Sequence, residues 1–294
     1  MDRQLPLGDE IFLDHIAHFV PDCDAARDAL VRAGFAPTPL SIQVNPDPAG
    51  GPPQPTGTGN VTAMFARGYV EILFQTADTP LGRELGVALA RHPGLHLAAF
   101  AVADAAAAHR RLGEAGFRPQ PLVAMQRPVD TAQGPDIAAF TIARLVPGQM
   151  PEGRIQVLTH RTERTVWQPR WLDHPNGARG LVALTIAVAD VDEAAARFAR
   201  FTGRPAARRE GGQTIALDRG RIELVTADAF GRRFPELPIP SLPFIGACTI
   251  AVESLGAAEA VLRRGGISVR RHGEGLVARF PEALGIGGWL FSDL

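Results

Sequence analysis

The chain has 294 residues, 46% apolar and 21% charged, with a formal net charge of −1 at pH 7. That length fits two or three domains with cores that need no covalent staples, and the near-zero charge gives no field to draw the protein onto nucleic acid or acidic lipid. All thirty basic residues are arginine, which excludes Schiff-base, P-loop and Ser–Lys chemistry, because each requires a lysine. Cys23 and Cys248 lie far apart and form no paired motif, as expected in a reducing compartment. No apolar run reaches the roughly 18 residues of a membrane span, and the first residues lack the basic and apolar regions of a signal peptide. The expectation is a cytoplasmic protein.

Taken in chain order, the elements repeat. An apolar strand ending near Phe19 leads to Asp22, an Ala/Arg-rich helix and Gly34, followed by β-type segments at 38–44, 61–66 and 69–76. The Pro/Gly-rich stretch 45–60 has no periodicity and reads as a long loop. A second strand leads to Asp104, a helix, Gly116 and segments at 121–126, 137–145 and 154–160. Residues 161–179 break the pattern. A third unit then runs through Asp190, Gly203 and segments at 206–209, 213–217 and 221–226. A fourth runs through Ser254, Gly265 and Gly266 and segments at 268–271, 275–280 and 287–291. The Asp and Ser side chains suit N-caps because they accept orphan N–H groups of the first turn, and glycine tolerates the left-handed conformation that closes a helix. The expected fold class is α+β, with four βαβββ units in two tandem pairs at 1–160 and 180–294, joined by a linker at 161–179.

This tandem repeat, opening on LDHIAHFVPD, resembles the vicinal oxygen chelate superfamily, which includes glyoxalase I, bleomycin-resistance proteins and extradiol dioxygenases. It most resembles the bacterial glyoxalase-like domain proteins, over about residues 13–178. The resemblance implies paired units whose sheets form a cup around a divalent metal (Zn, Ni, Mn or Fe), with ligands from the first and fourth strands of each unit. His15 lies seven residues before Asp22, where the family pattern expects a ligand. Glu71 shares a strand face with Tyr69 and Leu73 and should point into the cup, as ligand or general base. Gln156 is its counterpart in the second unit, as a ligand or a cavity hydrogen-bonder. In that unit the seven-residue rule falls on Leu97 rather than His96. A one-residue slip turns a side chain to the opposite face, so His96 joins the metal set through a β-bulge or else is a core histidine. In the second half the first-strand positions are Ala183 and Ala247, and Glu223 and Trp289 stand near the fourth-strand positions. That half reads as a metal-free scaffold pair.

Arg154 and His160 alternate with Gln156 on one strand face. They suit an anionic substrate and a proton shuttle, or a plain ion pair of Arg154 with Glu152 or Glu163. In the linker, Trp167 or Trp171 and Arg170 form either a wall against a substrate ring or an anchored connector with His174 and Asn176. Gln43 and Arg127 are further cavity candidates, His18 is structural, and His92, His109 and His272 read as solvated. Two functions are weighed. One is a metal-dependent lyase or isomerase acting on a small oxygenated metabolite, with Glu71 or His160 moving the proton; the extradiol dioxygenase variant fits less well, needing His96 in register. The other is a metal-free protein that sequesters a small molecule. The expected partner is a small-molecule substrate, with neither nucleic acid nor membrane, and pairing into a homodimer is compatible with the family.

Overall fold

The computed structural model describes residues 3–294. The first unit comprises β1 (Ile11–Phe19), α1 (Cys23–Arg32), β2 (Ser41–Asn45), β3 (Gln54–Met64) and β4 (Tyr69–Gln75). Helix α2 (Pro80–Arg91) leads to the second unit: β5 (Gly94–Val102), α3 (Ala105–Glu114), β6 (Val123–Thr131), β7 (Gly134–Arg144) and β8 (Arg154–His160). The connection holds a short helix, α4 (Glu163–Val166), and a 3-10 turn at Pro169–Trp171. The third unit is β9 (Ala178–Val188), α5 (Val191–Thr202), β10 (Ala206–Arg209), β11 (Gly212–Ala216) and β12 (Arg221–Thr226), followed by α6 (Ala227–Arg233). The fourth is β13 (Phe244–Val252), α7 (Leu255–Arg264), β14 (Val269–His272), β15 (Gly275–Arg279) and β16 (Gly288–Asp293).

The punctuating residues act as caps. Asp22 accepts from the Ala25 N–H, Asp104 from Ala106 and Ala107, Asp190 from Glu193 and Ser254 from Ala257. Such a cap contributes about 1 kcal/mol to its helix.

Strands β1 to β8 close into a barrel in the order β1-β4-β3-β2-β6-β7-β8-β5, while β9 to β16 form an eight-stranded sheet in the order β10-β11-β12-β9-β13-β16-β15-β14. The barrel seam between β2 and β6 is one register pair, Val44 with Gln126, reinforced by the Ser41 hydroxyl donating to the Pro128 carbonyl at 2.6 Å. Helices of the two halves pack against each other between the two sheets. Phe100 and Phe117 meet Phe201 with ring centroids 5.8 and 5.9 Å apart, and Phe35 meets Trp289 at 5.6 Å. Gly265 permits the closest approach: a Cβ there would lie 1.9 Å from the Arg32 carbonyl oxygen. A buried ion pair also joins the halves, Arg197 of α5 donating to both oxygens of Glu152 at 2.7 and 2.9 Å.

Inside the barrel, Phe19, Met64, Leu73, Phe140 and Leu158 form a separate apolar cluster, joined by Leu85 of α2 and by Val166 and Trp167 of the connection. Two sequence expectations change here. The stretch 45–60 is a loop over 46–53 only: Asn45 ends β2 and β3 begins at Gln54, with Thr56, Thr58 and Asn60 buried. The Gly/Pro content masks that alternation, since glycine in a strand gives no side chain to read. Helices α2 and α6 were not anticipated, and each follows the last strand of an odd-numbered unit.

Candidate active site

The polar cavity lies within the barrel and is lined by residues from all eight of its strands, among them His15, Gln43, Asn60, Glu71, Arg127 and Gln156. Its volume is about 30 Å³, roughly room for two waters or one carboxylate.

A paired irregularity in the barrel places the central histidine. Between β1 and β5 the register passes from Leu13–Phe100 to His15–Ala99, and from Ala17–Leu97 to His18–Leu95. Asp14 is therefore the extra residue on β1, and His96 the extra residue on β5. The second half bulges at the corresponding points, Val182 on β9 and Gly246 on β13, so the bulges belong to the fold and the first half has put polar residues on them. A bulge re-aims side chains, and here neighbours in sequence become hydrogen-bond partners. Asp14 Oδ2 lies 2.7 Å from His15 Nδ1, and Oδ1 lies 2.9 Å from His160 Nε2. Asp14 is fully buried. Burial alone would raise its pKa, but the His160 charge and the hydrogen bonds from both imidazoles outweigh it and hold the carboxyl well below the usual range.

With hydrogen on Nδ1, His15 carries a bare Nε2, which lies 3.8 Å from Glu71 Oε2. The His15 ring stacks on Tyr69 at 4.4 Å. Glu71 is held by its other oxygen, which accepts from Asn60 at 2.6 Å and Gln43 at 3.3 Å, and Gln43 in turn accepts from the Thr58 hydroxyl at 2.6 Å. Three guanidinium groups share this space. Arg144 Nε donates to Gln156 Oε1 at 3.2 Å, and Arg154 pairs with Glu84 of α2 at 3.3 Å. Arg127 is buried and lines the same cavity, near Tyr69 and Glu71. Burial lowers the pKa of all three, that of Arg144 to about 9, and they stay cationic at neutral pH.

The sequence-derived candidates separate accordingly. His15, Glu71, Arg154 and Gln156 line the cavity together with Gln43 and Arg127. The bulge at His96 is present but does not bring the residue in: Leu97 lines the cavity, while His96 donates from Nε2 to the His92 carbonyl at 2.7 Å and stacks on His92 at 4.3 Å. His92, read as solvated, is buried by that stack. His160 lies behind His15, contacting Asp14 and the Trp167 ring, and so positions rather than lines. Trp167 is core, 6.1 Å edge-on from Tyr69. Arg170 faces outward, bonded to Gln168 and the Asp130 carbonyl and stacked over Trp171. Arg154 pairs with Glu84 rather than Glu152 or Glu163. In the fourth unit Ala247 is opposite Gly288 as His15 is opposite Tyr69, so Leu290, not Trp289, is the counterpart of Glu71. Glu223 of the third unit is bound by Thr185, Arg221 and Arg233. Asp14, Asn60, Tyr69 and Arg144 were missed as functional groups; the Thr-Gly-Thr-Gly-Asn run of β3 was an available signal for Asn60.

The expected metal set of His15, Glu71, His96 and Gln156 does not assemble. His15 and Glu71 face each other, but Leu97 stands where a third ligand would be and the Gln156 oxygen is bound by Arg144. Among the described residues no three His, Cys, Asp or Glu side chains are grouped to hold a metal ion. A catalytic divalent ion takes about three protein ligands besides water or substrate; here it would have His15 and Glu71 alone, beside three guanidiniums, so the residues present do not fit such a centre.

Four βαβββ units, paired around a polar interior in the first half, define the chain as a vicinal oxygen chelate protein. It belongs to the glyoxalase-like domain family, whose model matches residues 13–202. No curated protein sequence matches the chain. Among solved structures, a hypothetical protein from Staphylococcus aureus is similar at TM-score 0.65 and 10% identity, over 97% of this chain and 100% of that one. A mutant 4-hydroxymandelate synthase from Streptomyces coelicolor is similar at TM-score 0.55 and 14% identity, over 96% and 92% of the two chains. An Mn(II)-bound glyoxalase from Novosphingobium aromaticivorans is similar at TM-score 0.55 and 14% identity, over 97% and 82%. At these identities the likeness establishes the fold and leaves the chemistry to the site.

Proposed function

We propose that the chain is an isomerase- or lyase-type enzyme that moves a proton on a small carboxylate bearing an adjacent carbonyl or hydroxyl oxygen, using protein groups in place of a metal such as the Mn(II) of the Novosphingobium glyoxalase. The observation that carries this reading is the buried Asp14–His15 pair, with Nε2 free beside three guanidiniums. His15 Nε2 takes a proton from the carbon next to the substrate carbonyl. The C–H electrons move onto the carbonyl oxygen, and the resulting enolate is stabilised by the arginines, which are already oriented and desolvated. Asp14 accepts the Nδ1 hydrogen and stabilises the imidazolium. Where the deprotonated carbon carries a hydroxyl, return of the proton to the former carbonyl carbon, with the hydroxyl proton passing to the enolate oxygen, completes an isomerisation; departure of a group with its bonding pair from the β-carbon, as the carbonyl re-forms, makes the reaction a lyase. Glu71, fixed by Asn60 and Gln43, holds the other side of the reacting atoms.

The test is proton exchange at C3 of 2-oxobutanoate in D₂O, followed by ¹H NMR. Protein-dependent exchange is expected, reduced about 10²–10⁴-fold by His15→Gln and unaffected by a chelator. Binding without exchange would turn the reading to a sequestering protein. Exchange abolished by chelator and restored by one metal per chain would overturn the metal-free mechanism.

A further inference from the structure

The inner cavity accommodates little more than a head group. Beside it lies a second, larger space of about 430 Å³. The two share Arg144 and Arg154 in their walls. The outer space is otherwise mainly apolar, bounded by Val87 and Ala88 of α2, by Leu145 and Val146 after β7, and by Ile155 of β8. Arg154 also lies over the Phe19 ring, with Cζ 5.3 Å from its centroid. Its partner Glu84 is half exposed on the groove side, where it occupies the charge that an entering carboxylate would take. A third space, of about 280 Å³ and also mainly apolar, shares Arg127 with the cavity; it is the smaller of the two and has one arginine in the common wall where the larger has two.

From this arrangement we infer that the substrate is an amphipathic carboxylate, its oxygenated head against Arg144 and Arg154 and an unbranched apolar tail in the groove between α2 and the β7–β8 connection. The inference rests on the reading of the inner cavity as a carboxylate site. A groove of this size and character suits an aliphatic chain, and the two arginines at the junction set which end goes inward.

The experiment is calorimetric titration of the whole protein with 2-oxobutanoate, 2-oxohexanoate and 2-oxooctanoate. Affinity is expected to rise about fourfold per added methylene, as burial of each CH₂ predicts. Ala88→Trp, which fills the groove, and Val87→Asp, which charges it at a 69% exposed position, should each flatten the series toward the affinity of 2-oxobutanoate. A flat series in the wild-type protein overturns the inference and leaves the carboxylate site standing. No binding at any chain length overturns both. A gain that survives both variants but is lost in Ile42→Trp, in the third space, also overturns the inference by moving the tail there.

Discussion

At the scale of single residues, the site depends on one inserted position. Asp14 is the extra residue of a bulge, and its two oxygens bind His15 and His160. Asp14→Asn keeps the shape but removes the charge and leaves the His15 tautomer unspecified. Exchange should fall by about 10³–10⁴-fold with little change in carboxylate affinity, and a loss of binding equal to the loss of rate would contradict this. The buried histidines outside the cavity make a different prediction. His18 donates to the Leu284 carbonyl at 2.9 Å and His96 to that of His92, and burial lowers both pKa values to about 4. Each stays neutral in the fold while the unfolded chain protonates near pH 6.5. Their contribution is therefore complete above about pH 6.5 and is lost as pH falls toward 4, by up to about 3 kcal/mol each. His92 and His174 shift in the same direction. A melting temperature unchanged between pH 7 and 4.5 would refute this, and His18→Gln should flatten the slope.

At the scale of elements, strand register assigns each side chain to its face. Leu97 pairs with Arg154 as His15 pairs with Tyr69, which makes Leu97 and Gln156 the counterparts of His15 and Glu71. The seven-residue interval to the helix cap carried this much in the sequence. The bulges are not legible there, because a bulge is a mismatch between two strands and neither strand alone records it. The helices are tied by charge as well as packing. Arg197 of α5 is bound by Glu193 and Glu152, which raise its pKa against the effect of burial. Arg197→Ala would leave Glu152, fully enclosed, without its partner, so a loss of about 3–5 kcal/mol is expected in chemical denaturation. Gly265→Ala should cost about 1–3 kcal/mol, since α1 and α7 must separate to admit the methyl group.

At the scale of the whole molecule, the two halves share one apolar core, in which Phe35, Phe65 and Phe100 of the first half lie with Phe201, Trp289 and Phe291 of the second. Neither helix layer is closed without the other. Calorimetry should show one transition, with calorimetric and van't Hoff enthalpies equal; two resolved transitions would mean that the halves fold independently. The barrel of the first half keeps a polar interior, whereas the interior of the second sheet is filled by Phe230, Phe234, Phe244 and Leu290. That filling matches the loss of ligand-type residues in the last two units.

The sequence by itself determined the repeat, the caps and the fold class, because caps and alternation are local and survive in one dimension; the resemblance it carries pointed to His15, Glu71 and Gln156, with Arg154 on the same strand face as Gln156. Tertiary structure decided that His96 turns to His92, that His160 stands behind His15, and that Arg127, Arg144 and Asn60 reach the same cavity. It also decided that Asp14 joins the two imidazoles. These outcomes depend on how strands far apart in sequence align across a closed barrel, where one extra residue redirects a side chain and the partner that receives it lies on another strand.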